Sequence, residues 1–378
     1  MSADEGFMRR ALEVARLGLG RTHPNPSVGC VIVHRGEVVA SGFTSPPGGP
    51  HAEVHALRAL EATGLPASEC VAYVTLEPCC TFGRTPPCTR ALISAGIPEV
   101  VVGTIDPHHK VDGAGIAQLR AAGVTVRLGV LEDECAELIV GFAKHVRHGL
   151  PWVRAKWAMS LDGKIASATG DSVWISGEAS RARVHRWRDT HDAIMVGKGT
   201  LLADDPSLTC RGVDGGRDPI RVVVDARLDA PTTAKVFSEE LLARAPTWVC
   251  VGEGAGGEKR AALEARGVGF IEAPADARGW LDMGAVMRGV AARGVTTVLA
   301  EGGGGLLGSL MDLGLVDRVS VFVAPLVLGG EGAPGPMGGV GFASPLHAPR
   351  LERRRVEAIG EDVLVEGDVP ESHRSSPG

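Results

Sequence analysis

The sequence predicts an α/β protein made of two successive domains. Three observations carry this expectation. The 378 residues exceed the roughly 150 of an average domain, 44% of them are apolar, and strand-like runs alternate with helix-like periodicity. The alternation breaks at 145–151, HVRHGLP, and then begins again. The expected domains are therefore 1–147 and 151–368.

In the first domain Met8, Leu12, Ala15 and Leu19 recur at three- and four-residue steps, which predicts a helix over 7–19. The apolar run 28–33 reads as a buried strand, and 37–41 as a second strand after a Gly turn. The pattern over 51–62 is helical and stops at Thr63-Gly64. A strand over 71–76 ends just before Glu77-Pro78-Cys79, a helix over 89–95 stops at Gly96, and Pro98 introduces a strand over 99–104. A helix over 116–122 and a strand over 124–128 close the series. Elements of these lengths in this order imply an α/β/α sandwich with a mixed or parallel sheet.

The second domain offers strands near 153–159, 192–197, 220–224, 247–251, 295–299 and 318–324, with helices near 178–188, 258–266, 283–292 and 305–313. It is a second α/β unit. The stretch 329–341 is rich in Gly and Pro and too poor in side chains for a packed element, and the tail 369–378 is expected to be disordered.

Composition excludes several classes of function. Against 39 Lys and Arg stand 45 Asp and Glu, a net charge of −6 with both signs spread along the chain, which argues against a general nucleic-acid binder. A single Tyr leaves few aromatic platforms for stacked bases. No apolar run approaches the ~20 residues that span a bilayer, and the opening MSADEGFMRR is too polar for a secretory signal. The expected location is the cytoplasm. Three of the eight cysteines fall within 79–88, a clustering that suits metal or redox chemistry better than a disulfide framework.

That cluster has a partner upstream. His51-Ala52-Glu53 opens a helix, and Pro78-Cys79 and Pro87-Cys88 sit where a strand gives way to the next helix. His51, Cys79 and Cys88 form a Cys2His set for one Zn²⁺, with the fourth tetrahedral position left to water that ionises near neutral pH. Helix N-termini favour thiolate over thiol. Glu53, two residues from His51, does not share its helix face and suits proton transfer rather than ligation. Alternatives remain at this point: a His-x-Glu alone often marks a surface helix start, and Cys80 could close a structural zinc site. Cys30, Cys70, Cys135, Cys210 and Cys250 read as packing residues, and His108-His109 as a turn.

In HPNPSVGCVIV at 23–33, HAEVHAL at 51–57 and TLEPCCTFGRTPPCTRALI at 75–93, the chain resembles the bifunctional riboflavin-biosynthesis deaminase/reductase family. The long interval between the cysteines, closed by GRTPPC, separates that family from the cytidine and transfer-RNA deaminases. The resemblance implies a cytidine-deaminase-like fold, His51, Cys79 and Cys88 as zinc ligands, and Glu53 as proton shuttle. It also implies substrate contacts at Asn25 and Arg84. Thr44 and Cys80-Thr81-Phe82 depart from the family, which often has His at the first place and Ser and His in the second.

The resemblance continues in KWAMSLDGKIA at 156–166, GDSVWISGE at 170–178, GKGTLLADDPSLTCR at 197–211 and AEGGGGLLGSL at 300–310. It implies a dihydrofolate-reductase-like domain that binds NADPH. Cofactor contacts would come from Ala158, Trp174, Thr200 and Asp204 and from the loop of Gly303, Gly304, Gly305, Leu306, Leu307, Gly308 and Ser309. Ser172, Arg188, Leu208, Arg211 and Glu301 would meet a ribosyl phosphate substrate. The residues support this less sharply by themselves. Gly303, Gly305 and Gly308 satisfy G-x-G-x-x-G at a helix start, where N–H groups suit a pyrophosphate, yet the next strand ends in Ala-Pro without the acidic residue of an ordinary dinucleotide site. A tight strand-to-helix turn explains the glycines equally well.

The activity so implied is hydrolytic deamination of a diaminopyrimidinone carrying a ribosylamino phosphate, followed by NADPH-dependent reduction of the ribosyl group to ribityl. A small-molecule substrate, no nucleic acid, no membrane and a homo-oligomer are the expected associations. Two other readings stay open: a zinc deaminase of polynucleotide bases, and a regulator whose zinc is structural.

Overall fold

The computed structural model describes residues 2–83, 86–276 and 278–374. The chain divides into two compact units, Met1–Arg147 and His148–Gly378.

In the first unit the elements run α1 (Ala3–Arg16), β1 (Gly29–His34), β2 (Glu37–Phe43), α2 (Ala52–Thr63), β3 (Cys70–Leu76), α3 (Cys88–Ala95), β4 (Glu99–Thr104), α4 (Ala114–Ala121), β5 (Thr125–Leu128), α5 (Glu132–Leu138) and α6 (Val140–His148). The helix expected over 7–19 begins four residues earlier. Ser2 and Glu5 form a capping box, the Ser2 hydroxyl accepting the Glu5 N–H at 3.2 Å and the Glu5 carboxylate accepting the Ser2 N–H at 3.0 Å. The break expected at 145–151 is helical as far as His148, and the chain turns at Gly149, whose φ is +65°. Helices α5 and α6 have no counterpart in the sequence expectation.

The sheet order is β2-β1-β3-β4-β5, with β1 antiparallel to both neighbours and β3, β4 and β5 parallel. Alternate residues of β1 feed opposite faces. Cys30 and Ile32 pack with Ala56, Leu60, Leu92 and Leu119, while Val31 and Val33 pack with Met8, Leu12 and Cys135. Helices thus cover both faces, and the unit is an α/β/α sandwich.

In the second unit the order is β6 (Trp152–Ser160), α7 (Glu178–Thr190), β7 (Ala193–Gly197), α8 (Lys198–Asp204), β8 (Ile220–Val224), α9 (Glu239–Arg244), β9 (Thr247–Val251), α10 (Gly257–Glu264), β10 (Gly269–Glu272), α11 (Met283–Ala291), β11 (Thr297–Glu301), α12 (Gly304–Asp312), β12 (Arg318–Ala324), β13 (Glu352–Ile359) and β14 (Asp362–Asp368). They build a nine-stranded sheet in the order β10-β9-β8-β7-β11-β6-β12-β14-β13. Pairing is parallel from β10 to β12, and antiparallel for β12 with β14 and β14 with β13. One face of the sheet packs on Val286, Val290, Leu307 and Leu310, the other on Leu201, Phe237 and Leu263.

Order extends past residue 368, against the expectation of a disordered tail from 369. Val369 is fully buried, Glu371–His373 form a 3-10 turn, and Arg374 Nε donates to Val369 O at 2.7 Å. The last four residues lie outside the described ones. The stretch 329–341 holds no helix or strand but is stitched to its surroundings. Lys164 Nζ donates to Ala333 O at 3.1 Å, and Gly338 N donates to Gly304 O at 2.9 Å.

Candidate functional site

The three expected metal ligands sit at the ends of regular elements. His51 is the N-cap of α2, Cys79 follows the end of β3, and Cys88 opens α3. His51 Nδ1 lies 3.6 Å from Cys79 Sγ and 3.3 Å from Cys88 Sγ, and the Cys88 N–H donates to Cys79 Sγ at 3.4 Å. The three donor atoms lie within 4.8 Å of one another. Cys80 is not among them, so the cluster is open rather than closed by a fourth cysteine.

The donor set fits zinc, for two sulfurs and an imidazole are the ligands of a catalytic site with one free position. The charge distribution fits it too. A hydrogen bond from Cys88 and another from His51 outweigh burial and bring the Cys79 thiol down to about 4, while the same bond to Cys79 and burial push the Cys88 thiol up. A dication held by the three residues would favour the thiolate form of both sulfurs.

Glu53 lies in the first turn of α2, 3% exposed. Burial and the Cys79 thiolate raise its pKa to about 7, a value that lets a carboxyl both take and give a proton at neutral pH. Sequence reasoning missed Glu77. It is buried, and its carboxylate accepts the N–H groups of Asp106 (3.2 Å), Gly113 (2.9 Å), Gly115 (2.8 Å) and Ile116 (3.1 Å). It thereby fastens the 106–116 segment beside the Pro78-Cys79 step. The available signal was an acidic residue at the end of an otherwise apolar strand.

Asn25 stands in the turn before β1, where its N–H donates to Thr22 O at 2.9 Å and its carbonyl accepts the Thr22 hydroxyl at 3.0 Å. Among the described residues no hydrogen bond joins it to the metal cluster. Arg84 lies outside the described residues. Thr44 is buried, its hydroxyl accepting the Val28 N–H at 3.2 Å.

The second unit brings several of its expected residues together. Thr200 Oγ1 accepts the Gly303 N–H at 3.0 Å, and Ser172 Oγ donates to Asp204 Oδ1 at 3.4 Å. Arg188 Nε and Nη2 donate to the two oxygens of Glu301 at 2.8 and 2.9 Å, and Arg188 Nη1 donates to Thr209 O at 3.0 Å. Lys156 Nζ, 3.7 Å from Glu301, is a third member that the sequence reading left without a role. A lysine inside the apolar strand WVRAKWAMS was its signal. Burial opposes the Glu301 charge, but Arg188 and Lys156 prevail and bring its pKa to about 2. Burial pulls the Lys156 ammonium below its usual value, and Glu301 opposes that fall.

Leu208 is buried with φ at +52°, and Arg211 is exposed, Nη1 donating to Thr209 Oγ1 at 3.3 Å. Trp174 is 69% exposed, with the Arg181 guanidinium 4.5 Å from its ring centroid. Ala158, on β6, packs beside Phe322.

The glycine loop divides in two. Gly303 is the N-cap of α12, and around Gly305 no atom lies within 4 Å of where a Cβ would stand. A phosphate can approach that backbone at a helix N-terminus, so the opening of α12 fits a dinucleotide. Leu306, Leu307 and Ser309 are instead buried, and Gly308 packs on the Gly338-Gly339 backbone. Leu306 and Leu307 belong to the core beneath the sheet.

Residues 1–104 match the cytidine and deoxycytidylate deaminase zinc-binding region, and residues 151–365 match the RibD C-terminal domain. The riboflavin biosynthesis protein RibD of Bacillus amyloliquefaciens is 39% identical over 362 residues, which cover 96% of this chain and 95% of the relative. RibD of Escherichia coli K12 is 36% identical over 374 residues, 96% of this chain and 98% of the relative. A solved diaminohydroxyphosphoribosylaminopyrimidine deaminase/5-amino-6-(5-phosphoribosylamino)uracil reductase from Thermotoga maritima superposes with a TM-score of 0.85 at 35% identity, covering 97% of this chain and 99% of its own. RibD of Acinetobacter baumannii superposes at 0.84 with 34% identity, covering 98% and 99%.

A cytidine-deaminase-like unit with an open Cys2His cluster, joined to a dihydrofolate-reductase-like unit, defines a two-part deaminase and reductase. The chain belongs to the RibD family of riboflavin-biosynthesis proteins. It is a zinc-dependent hydrolase and an NADPH-dependent oxidoreductase that serves riboflavin biosynthesis. Among the described residues no helix is long and apolar enough to cross a membrane.

Proposed function

We propose that the first unit removes the 2-amino group of a diaminopyrimidinone ribosylamino phosphate, and that the second reduces the ribosyl group of the product to ribityl. The observation that carries the first step is the open His51, Cys79 and Cys88 cluster beside buried Glu53. Zinc held by these three residues supplies Lewis acidity and makes a coordinated water more acidic. Glu53 takes the proton of the attacking water, passes it to the adjacent ring nitrogen, and returns a proton to the departing amino nitrogen, which leaves as ammonia. Asn25 and Arg84 are carried as substrate contacts by the family resemblance.

In the second unit bound NADPH would supply hydride to the ribosyl carbon that bears the amino nitrogen, the ring C–O bond at that carbon breaking and its oxygen taking up a proton to become a hydroxyl of the open ribityl chain. The backbone opening α12 at Gly303, Gly304 and Gly305 would hold the pyrophosphate, Thr200 fixing Gly303 by taking its N–H, and Ala158, Trp174 and Asp204 would border the cofactor. Leu306, Leu307, Gly308 and Ser309 act from behind, seating the helix in the core. Arg211 is the phosphate contact, since a guanidinium with donors to spare suits that dianion. The Arg188–Glu301 pair, with Ser172 and the Leu208 backbone, borders the ribosyl group.

Cytoplasmic residence suits a ligand set that must stay reduced to bind metal. An oligomer of identical chains is supported by β13, the outermost strand of its sheet, whose Val356 is 71% exposed. Sedimentation of the full chain tests that association.

Mass spectrometry of the diaminopyrimidinone ribosylamino phosphate, incubated with zinc-loaded protein and NADPH, tests the whole proposal. The deaminated ribityl compound is the expected product. A deaminated but unreduced product would overturn the assignment of the second unit, and unchanged substrate would overturn that of the first, with deaminated substrate supplied directly then deciding the second.

A further inference from the structure

The segment 208–211 carries the proposed phosphate arginine and contains neither helix nor strand. It is held in place by α7. His185 and Arg188 are three positions apart on that helix and so share a face. Arg188 Nη1 donates to Thr209 O at 3.0 Å, His185 Nδ1 accepts the Arg211 N–H at 3.2 Å, and Cys210 Sγ donates to His185 O at 3.3 Å. From elsewhere in the unit Asp218 Oδ1 accepts the Cys210 N–H at 2.8 Å.

We propose that His185 is a positioning residue of the reductase: by accepting the Arg211 backbone N–H, it fixes where the Arg211 guanidinium meets the substrate phosphate. The inference rests on the reading of Arg211 as phosphate contact. Each bond named fixes a different degree of freedom. The Arg188 bond sets the height of the segment over α7, and the His185 bond sets the direction in which the Arg211 side chain leaves the backbone.

The bond requires a lone pair on Nδ1, and therefore a neutral ring with its proton on Nε2. Burial first, and then Arg188 and Arg211, hold the His185 pKa at about 4, so the ring is an acceptor throughout the neutral range. A phosphate bound by Arg211 leaves this bond in place, because the backbone N–H and the guanidinium are separate donors.

The test is steady-state reduction by the full-length, zinc-loaded chain, with the ribosylaminouracil phosphate and its dephosphorylated counterpart as substrates. His185→Ala is expected to raise KM for the phosphorylated substrate roughly fivefold to tenfold, the scale of one lost hydrogen bond, with kcat within about twofold. KM for the dephosphorylated substrate stays where the unaltered chain has it. His185→Asn, whose amide oxygen stands near the Nδ1 position, recovers most of the loss, and His185→Gln, whose amide reaches the Nε2 position, does not. In an Arg211→Ala background His185→Ala adds nothing further.

An equal rise in KM for both substrates, or additive effects of the two substitutions, would overturn the role of His185. If Arg211→Ala leaves KM for the phosphorylated substrate unchanged, the phosphate reading falls first and His185 falls with it. Turnover of the dephosphorylated substrate by the same samples reports that the second unit, which holds His185, is folded, and the contrast between Asn and Gln keeps the question answerable should the Ala variant precipitate.

Discussion

Arg188 and Glu301 face each other through two parallel N–H···O bonds of 2.8 and 2.9 Å, although 113 positions separate them in the chain. The pair ties α7 to the end of β11, where the glycine loop begins. Because both side chains are largely shielded, 14% and 11% exposed, losing one strands the other's charge. Glu301→Gln is expected to destabilise the second unit by about 3–5 kcal/mol, the usual cost of breaking a buried pair. It should also abolish reduction while deamination continues. Thermal unfolding and separate assays of the two reactions check this.

The same pair sets an acid limit on the second unit. Glu301 is held at about 2, against an ordinary value of 4.5, so the folded state binds its proton less tightly than the unfolded chain does. The stabilisation is complete above pH 4.5 and is lost as the pH falls toward and through 2. Acid titration of the unaltered chain should show stability declining over that window. Glu301→Gln should flatten the slope there, and an unchanged slope would contradict the assignment.

In the first unit the proposed role of Glu53 is to move protons without ligating the metal. Glu53→Gln keeps the shape of the side chain and removes the base. Deamination is expected to fall by roughly 10²–10⁴-fold, with zinc content unchanged by metal analysis. Reduction of deaminated substrate supplied directly should proceed at the unaltered rate.

The open cluster makes a prediction about Cys80 that a closed site would reverse. Cys80→Ser is expected to retain one zinc per chain, because the donor set is complete without it. Cys88→Ser should lose the metal at chelator concentrations that leave the unaltered protein loaded. Zinc loss in Cys80→Ser under the same conditions would mean a fourth protein ligand and a structural site.

What was legible in the sequence follows from where the information lies. His51, Cys79 and Cys88 could be read because ligand residues are few and these stand at element ends that turn and helix-start residues mark. The parallel strands β7, β8 and β9 could be read because their cores are continuous apolar runs. Strand β13, ERRRVEAI, could not. Seven of its eight residues are exposed, so it has no buried face to leave a period of two, and its place comes from pairing with β14. Glu77 and Lys156 were missed for a related reason: each is a charged residue whose partners lie far along the chain, and only folding brings them together. The glycine motif was visible as a pattern, but its division into exposed and buried halves depends on 329–341, which had looked too poor in side chains to pack.

That division can be tested by adding one carbon at a time. At Gly305 an added Cβ meets nothing within 4 Å, whereas at Gly308 it would stand 2.3 Å from the Gly338 carbonyl carbon and oxygen. Gly308→Ala must therefore push the backbones apart, at the roughly 1–3 kcal/mol typical of overpacking, and thermal unfolding should show the loss. Gly305→Ala should be neutral or stabilising by up to about 1 kcal/mol, since Ala favours a helix over Gly. The methyl nevertheless fills the space through which a pyrophosphate reaches the backbone. Gly305→Ala is expected to raise KM for NADPH while stability holds, and Gly308→Ala to lower stability first. If the two variants behaved alike, the opening of α12 would not be the cofactor cradle.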